Sequence, residues 1–312
     1  MRTIKFLFFL ILTLTITAFA DYDEIKIMNL SADGIEELEI DCGAGFLQIK
    51  GVEDLSDIEV EAEIFVEGMR DSKAEDFVED NMKLSLRERG KTARLISNFD
   101  QSGFSFGLFT GYSSIGINLT VRVPKNLVIN IDDGSGDITI EDIGNDLEID
   151  DGSGDIEIDN VTGRMDISDG SGDIRLTDTN GNIRLEDGSG EIILNNVNGN
   201  INMDDGSGDI EIEQIVGSIE LDDGSGEIDA IKIDGNFFID DGSGNINIEG
   251  ITGDVEIDDG SGNMEVAEIG GTVIVDDGSG NIRIDGVKGD VEIIDDDSGR
   301  CRITNVDGHV DD

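Results

Sequence analysis

Pairs of aspartates recur at one point of a repeated motif, and they are the residues of this chain best suited to chemistry. Each pair directly precedes Gly-Ser-Gly, and the motif returns with a constant 18-residue period. Carboxylate oxygens gathered from flexible loops are the ligands that Ca²⁺ prefers. The spacing therefore predicts a ladder of calcium sites, and no cofactor other than calcium is expected. The predicted metal ligands are Asp132, Asp133, Asp150, Asp151, Asp204, Asp205, Asp222, Asp223, Asp240, Asp241, Asp258, Asp259, Asp276 and Asp277.

A second interpretation of the same aspartates stays open. Asp is common in turns because its side chain hydrogen-bonds the backbone two residues on, so the pairs could be solvated turn residues. Calcium-binding nonapeptide rolls share the 18-residue coil, but their pattern is Gly-Gly-x-Gly-x-Asp-x-apolar-x. Here a polar residue such as Asp137 follows the second Gly directly. In three later copies that residue is uncharged and is a poorer ligand: Asn245, Asn263 and Asn281.

The motif does not predict an enzyme. The Gly-Ser-Gly serines, such as Ser135, do not follow a strand-to-helix elbow of the kind that exposes a nucleophile. The copies also contain no insertion that could form a cleft or bring cationic groups beside the aspartates. Solenoid enzymes that use acidic clusters depend on such irregular loops. We therefore expect a protein without catalytic residues.

A second candidate site lies in a stretch rich in Gly and Ser, residues 99–112. Aromatic side chains clustered in such a loop form an apolar tip that could contact a partner or a surface. The same rings could instead plug the open end of an apolar core, and the sequence leaves both alternatives open. The predicted partner-binding residues are Phe104, Phe106, Phe109 and Tyr112.

The repeat is the element that must position the aspartates. Its signature Asp recurs from Asp133 to Asp277 without a slip. Apolar and polar residues alternate inside each copy, which is the period of a strand, and a second alternating run begins nine residues after the first. Each copy therefore predicts one coil with two short strands. Turns of about four residues leave no room for a crossover helix, so the strands of successive coils must pair in parallel.

The predicted fold class is all-β, a parallel β-solenoid with 18-residue coils, right-handed as parallel crossovers are. Three local features add expectations. The Gly of turns such as 161–163, replaced once by Asn145, predicts a left-handed backbone at that position. Ile294 is an extra residue in the last copy and predicts a bulge. Cys301 holds the inward strand position of Ile282 and predicts a small core residue.

Three segments are predicted along the chain. Residues 1–20 are typical of a secretory signal, with a basic start, an apolar run from Phe6 to Ile16 and a small-x-small cleavage site at 18–20. Residues 21–131 lack the strict repeat and should form irregular β coils that cap the solenoid. Residues 132–312 should form the regular solenoid.

The capping segment contains recognisable pieces. Residues 41–49 resemble the Asp-Gly-Ser-Gly coil. Residues 72–81 predict a short helix, and residues 83–94 predict a solvated hairpin.

The strongly negative net charge of the chain limits the classes of partner that it can bind. Removal of residues 1–20, with Arg2 and Lys5, would take the formal net charge from −51 to −53. Such a field repels nucleic acid and anionic membranes, and it favours cations, cationic partners or a saline medium. No later stretch is apolar enough to span a membrane. We expect an exported protein of the periplasm, the cell surface or the medium, with a partner at the surface or in the envelope.

The alternation of Gly152 to Ile158 with Val161 to Ile167 resembles the DUF4097 family of β-strand-repeat proteins. Residues 117–124, leading into 127–136, look like the lead-in of that family, and the resemblance covers about residues 35–311. The resemblance implies a β-solenoid, an exported or envelope location and a role as an adhesin, which for that family is itself an inference. It supplies no catalytic residues. This chain departs from the family in its acidity and in the near identity of its repeats.

These observations favour an exported, non-enzymatic β-solenoid that serves as a surface or adhesion scaffold. The alternative is an acidic repeat protein that binds cations such as calcium or is adapted to salt. A third interpretation is envelope-stress sensing through the aromatic N-terminal region.

Overall fold

The structure is a computed structural model that describes residues 22–67, 71–100, 114–296 and 298–311. It is nearly all β, and stacked parallel coils of about 18 residues form a β-solenoid of about ten turns, which confirms the predicted architecture. The predicted signal peptide and the aromatic residues Phe104, Phe106, Phe109 and Tyr112 lie outside the described residues. The chain divides into two compact units, residues 1–144 and 145–312.

The second unit is the regular array. Its strands alternate between two sheets, and each strand pairs in parallel with the equivalent strand of the next coil, as Ile183 pairs with Ile201. One sheet contains β10 (Leu147–Asp151), β12 (Met165–Asp169), β14 (Ile183–Asp187), β16 (Ile201–Asp205), β18 (Ile219–Asp223), β20 (Phe237–Asp241), β22 (Val255–Asp259), β24 (Val273–Asp277), β26 (Val291–Asp296) and β28 (Val310–Asp311). The other contains β11 (Ile156–Asp159), β13 (Ile174–Asn180), β15 (Ile192–Asn198), β17 (Ile210–Val216), β19 (Ile228–Asp234), β21 (Ile246–Ile251), β23 (Met264–Ile269), β25 (Gly280–Val287) and β27 (Gly299–Val306).

Stacked aliphatic side chains hold these coils together. In one coil Ile201 and Met203 point inward from β16, and Ile210 and Ile212 point inward from β17, each at most 2% exposed. Their outward neighbours, such as Glu211, are exposed. Apolar burial is the dominant favourable term in folding, so this alternation explains why a very acidic chain folds.

The first unit combines two solenoid coils with antiparallel strands, of which Met82–Arg89 and Thr92–Phe99 form a hairpin. Its elements are β1 (Tyr22–Ser31), β2 (Glu37–Ala44), β3 (Leu47–Val52), β4 (Asp57–Val66), α1 (Asp71–Asn81), β5 (Met82–Arg89), β6 (Thr92–Phe99), β7 (Ile115–Pro124), β8 (Val128–Ser135) and β9 (Ile138–Glu141). The coil β2–β3 pairs in parallel with β8–β9, so that Cys42 lies opposite Asp133. The resemblance of residues 41–49 to the repeated motif is therefore structural, although the two coils are far apart in the chain.

The remaining strands of the first unit end its two sheets. One sheet has the order β1-β4-β7-β3-β9, with β1 and β7 antiparallel to β4, and the other has the order β5-β6-β2-β8, with β5 antiparallel to β6. The helix predicted at residues 72–81 and the hairpin predicted at 83–94 are confirmed as α1 and β5–β6. The predicted start of the regular array, residue 132, lies in the last coil of this unit.

The predicted left-handed position is confirmed at Gly163 and Gly217, with φ of 145° and 150°, but not at Asn145. A second left-handed position, which was not predicted, is the residue just before the apolar turn residue, at φ 53° in Asn160 and 60° in Lys232. The Gly two residues after the apolar residue is needed for space. A Cβ on Gly217 would overlap the carbonyl group of Gly199 in the preceding coil.

Two expectations about the last copy have different outcomes. The bulge is confirmed, because the register of β24 and β26 shifts between Val275 and Asp276 and Ile294 is 60% exposed. The prediction for Cys301 was wrong. Cys301 does lie opposite Ile282, but it is exposed, because among the described residues β27 has a neighbouring strand on one side only. No helix among the described residues has the length and apolar character needed to cross a membrane.

Candidate functional site: two aspartate columns

The two aspartates of each motif pair lie on opposite faces of one strand. Successive side chains of a strand point to opposite sides, so the pair is split between the interior and the outer surface. In β18 the first aspartate, Asp222, is exposed, and the second, Asp223, is 1% exposed. The same division holds in the first unit, where Asp132 is exposed and Asp133 is 4% exposed.

The inward aspartates of the second unit form what we call the buried column. Every member ends its strand, is at most 6% exposed and pairs in register with the member one coil away. The pattern of motif pairs did not predict two of the members, Asp169 and Asp187, which follow Ser168 and Glu186. The buried column consists of Asp151, Asp169, Asp187, Asp205, Asp223, Asp241, Asp259 and Asp277.

One carboxylate oxygen of each buried aspartate stabilises the turn that follows. The N–H of the serine two residues on donates to Oδ1, at 3.2 Å from Ser153 to Asp151, 3.0 Å from Ser225 to Asp223 and 2.8 Å from Ser279 to Asp277. This is the Asx turn of the second interpretation of the motif, although it occurs inside the coil rather than on its surface.

The other oxygen, Oδ2, is buried as well. In six members it has no hydrogen-bond partner among the described residues: Asp169, Asp187, Asp205, Asp223, Asp241 and Asp259. Buried polar atoms are nearly always hydrogen-bonded, so a regular series of six exceptions requires an explanation.

Burial changes the acidity of the column. Loss of solvent is the largest cause that raises the pKa of Asp223 to about 7, and the charges of Asp241 and Asp205 raise it further. The pKa of Asp187 and that of Asp259 are raised to about 6, again mainly by burial. A carboxylate inside a nonpolar coil loses its hydration and meets like charges above and below, and both effects favour the neutral acid.

The outward aspartates form a second series, which we call the exposed column. Its members are in register on consecutive strands, so neighbouring charges are one strand spacing apart, about 4.8 Å. Partial desolvation and the neighbouring charges raise the pKa of Asp222 and that of Asp258. Asp150 shares this face but is separated from the column by Ser168 and Glu186. The exposed column consists of Asp204, Asp222, Asp240, Asp258 and the half-buried Asp276.

The split of each pair bears on the predicted calcium ligands. The two carboxylates of one motif do not face the same space, so they do not jointly surround an ion. In the part of the chain that the structure describes, no group of three or more His, Cys, Asp or Glu residues is arranged to hold a metal. The exposed column keeps carboxylates in register on the surface, and calcium binding there stays a prediction.

The polar residue after Gly-Ser-Gly has a structural role that the sequence interpretation missed. Its side chain accepts a hydrogen bond from the backbone N–H of the equivalent residue in the next coil. Asp173 donates in this way to Oδ1 of Asp155 at 3.0 Å, and Asn263 donates to Oδ1 of Asn245 at 3.2 Å. Asp and Asn both supply this acceptor, which explains why the two interchange at a position that we first assessed as a metal ligand.

In the first unit Cys42 takes the place of a neighbouring aspartate. Burial raises the pKa of Asp133 to about 6, and the thiol of Cys42 donates a hydrogen bond to its carboxylate. Unlike the six buried aspartates of the second unit, Asp133 therefore has a neutral neighbour in the coil opposite.

Three solved structures, each covering at least 92% of this chain, are similar to it at low identity. A "putative cell adhesion protein" from Clostridium sporogenes is 11% identical, with 99% of its chain covered and a TM-score of 0.29. A "putative adhesin" from Bacteroides fragilis is 12% identical, with 97% covered and a TM-score of 0.35, and another from Parabacteroides merdae is 13% identical, with 95% covered and a TM-score of 0.30.

No curated protein matches the chain. The profile of one family, described as Toastrack DUF4097, matches residues 35–236, which is more than half of the chain. The protein therefore belongs to the DUF4097 family.

Proposed function

We propose that the protein is an exported, non-enzymatic scaffold that acts in adhesion at the cell surface or in the envelope. The observation that carries the proposal is the uninterrupted register of the second unit. From β10 to β24 and from β11 to β23, strands one coil apart pair residue for residue, without an insertion.

Such regularity suits a spacer or a repeated binding surface better than a catalytic site. A solenoid enzyme needs loops that form a cleft and hold unlike groups around a substrate. Here each coil presents nearly the same outer surface as its neighbours, mostly carboxylates and amides. Repeated identical surfaces favour many weak contacts acting together, which is how surface attachment gains strength from multivalency.

Export is supported by residues 1–20, which have the charge, length and cleavage site of a secretory signal. Acidity also fits an exposed location, because a strongly charged surface keeps a protein soluble outside the cell.

The experiment tests export, adhesion and the repeated nature of the binding surface separately. In the native host, N-terminal sequencing should find Asp21 as the first residue, and antibodies applied to intact cells should detect the chain. Loss of the gene should reduce attachment to surfaces. Attachment should be restored by the full chain and at least in part by a chain lacking residues 206–259, which are three whole coils.

The deletion is informative because it joins Asp205 to Gly260 without changing the motif. A chain that stays in the cytoplasm with residues 1–20 attached would contradict export. Attachment that is unaffected by gene loss would contradict adhesion. Loss of all function on deleting coils, with the fold intact, would favour a localised site instead of a repeated surface.

The exposed column supports a second candidate function, the binding of cations. Five aspartates in register repel one another by roughly 1 kcal/mol per neighbouring pair even at the dielectric constant of water. Calcium that bridges them should raise the melting temperature at millimolar concentration, and the variant Asp222→Asn/Asp240→Asn/Asp258→Asn should lose that effect. An equal rise in sodium chloride of the same ionic strength would indicate charge screening and adaptation to salt.

A further inference from the structure

We infer that the last coil of the second unit is a self-association surface, through which two copies of the chain join as a symmetric dimer. The surface consists of the strands β26, β27 and β28, and we call it the open end. Its occupant is the open end of a second copy, with β27 of each copy lying beside β28 of the other. The dimer does not depend on a role in adhesion.

The open end exposes side chains that the coil before it buries. In β25 the inward side chains of Ile282 and Ile284 are at most 1% exposed. The residues opposite them in β27 are Cys301, which is exposed, and Ile303, which is half-buried. Val310 of β28 is half-buried as well. Covering these side chains with a partner would remove apolar surface from water, which favours association.

The backbone of the open end is accessible too. β27 ends one sheet and β28 ends the other, and within the described residues neither strand has a neighbour on its outer side. Such an edge presents backbone N–H and C=O groups at the spacing that a further strand requires, so it is a template for pairing with another chain. Strand addition of this kind is a recurring mode of recognition between proteins.

The first unit shows how this chain covers the end of a pair of sheets. There the terminal strands are β1 and β5, and the helix α1 contacts both of them. Ala74 and Val78 of α1 are at most 2% exposed, so the helix is packed onto its surroundings by its apolar face. In the part of the chain that the structure describes α1 is the only helix, so no helix covers the open end. A cover for it has to come from another molecule.

The charges of the open end favour a second copy as that molecule. β27 carries the exposed residues Arg300 and Arg302 and contains no acidic residue. The other sheet carries carboxylates at the same end, where Glu292 of β26 and Asp311 of β28 are exposed and paired in register. A two-fold axis that places β27 beside β28 of the partner brings arginine to carboxylate twice, which is the self-complementary contact of a symmetric dimer.

The other two-fold arrangement, with β27 beside β27, is less favourable. It would bring Arg300 and Arg302 of one copy next to the same residues of the other, and like charges on paired strands are destabilising. The formal net charge of −51 opposes association in either arrangement. Exposed charges that are further apart than the Debye length, about 8 Å in 0.15 M salt, are largely screened. Contacts at the open end therefore determine which arrangement forms.

The first test measures the association of the unaltered mature chain in 0.15 M NaCl. Sedimentation equilibrium over a series of concentrations should show monomers and dimers and no larger species, because an isologous contact is closed once two copies have met. A chain that stays monomeric throughout, or that forms long polymers, would overturn the inference.

The second test locates the contact. Cys301 is exposed at the open end and can carry a spin label once Cys42 has been replaced by Ser. In the dimer the two labels should lie within about 30 Å of each other, since two facing sheets are only about 10 Å apart. Electron–electron double resonance measures this distance. Labels that are further apart in a dimer of the labelled chain would place the contact elsewhere and contradict the proposed surface.

The third test exchanges charges between the two strands. Arg300→Glu/Arg302→Glu makes β27 acidic, and Glu292→Lys/Asp311→Lys makes the facing strands basic. Each variant alone should dimerise at least about tenfold more weakly, because both of its contacts then join like charges. An equimolar mixture of the two variants should recover the affinity of the unaltered chain, since each contact again joins opposite charges.

The matched control is Arg87→Glu/Arg89→Glu, which makes the same change of net charge on β5 of the first unit and should leave dimerisation unchanged. Circular dichroism checks that each variant is folded, and if a double variant is not, Arg302→Glu and Asp311→Lys are mixed in the same way. A mixture that associates as weakly as its separate components would overturn the pairing of β27 with β28. Equal weakening by the control would show that net charge, rather than the open end, governs association.

Discussion

Asp222 and Asp223 are adjacent in the chain and identical in type, yet they have opposite environments. Asp222 belongs to the exposed column and can exchange its counterions with the solvent. Asp223 belongs to the buried column, where burial raises its pKa to about 7. The difference shows that in this solenoid the phase of a residue within the strand determines its chemistry. The repeat then multiplies both outcomes, because every further coil returns to the same phase.

The Gly-Ser-Gly turn that follows the two aspartates should be the part of the coil that is most sensitive to substitution. A Cβ on Gly226 would overlap the carbonyl oxygen of Gly208 in the preceding coil, and backbone cannot move aside as a side chain can. We expect Gly226→Ala to destabilise the second unit by more than about 3 kcal/mol. Ser225→Ala, in the same turn, is the control and should change stability by less than about 1 kcal/mol. Urea unfolding measures both, and equal stabilities would show that the coils are not packed this closely.

The apolar interior of the second unit should be the next most sensitive to substitution. Ile219 points inward from β18 and is fully buried, whereas Glu220 is exposed on the same strand. We expect Ile219→Ala to lower the free energy of unfolding by roughly 2–5 kcal/mol, because it removes apolar contacts and leaves a cavity. Glu220→Ala should stay within about 0.5 kcal/mol. Similar losses in thermal melts of the two variants would contradict the assigned phase of the strand.

The phase itself could be predicted from the sequence, but one consequence was overlooked. The alternation of Leu147 and Ile149 places both side chains in the interior, and Asp151 follows in the same phase of two. Because carboxylates are rarely buried, the sequence interpretation treats both aspartates of each pair as calcium ligands or solvated turn residues. Describing the motif by its pairs also concealed Asp169 and Asp187. The regular spacing of apolar residues predicts that the second aspartate points inward. The general preference of Asp for the surface led to the opposite interpretation.

Other features could be predicted because local sequence determines them. The 18-residue period determines which strands pair, and one inserted residue, Ile294, determines the bulge. The second left-handed position, just before the apolar turn residue, could not be found in this way, because Asn160, Lys232 and Gly250 all occupy it and share no side-chain type. The exposure of Cys301 depends on which strands flank β27, a property of the assembled sheet that a single copy of the motif does not contain.

Replacing a buried carboxyl group with an amide should stabilise the second unit at neutral pH. At pH 7.5 we expect Asp223→Asn to raise the free energy of unfolding by roughly 1–2 kcal/mol, because the amide keeps the acceptor for Ser225 and adds a donor. The gain should disappear at pH 4.5, where the aspartate is already protonated in the folded chain. Chemical denaturation at both pH values measures this, and destabilisation at pH 7.5 would show that the ionised form is the one the coil requires.

The exposed column should give the smallest effect and the clearest dependence on salt. Asp240→Asn removes one charge that lies between Asp222 and Asp258, so we expect it to stabilise the second unit by a few tenths of a kcal/mol at low ionic strength. The Debye length falls to about 3 Å at 1 M salt, so the gain should vanish there. The matched variant Asp241→Asn should keep its larger gain at 1 M salt, since its neighbours are screened little inside the coil. Melting temperatures of both variants between 0.02 and 1 M NaCl would decide the matter. If both gains faded together, the inner aspartates would have to be in contact with solvent.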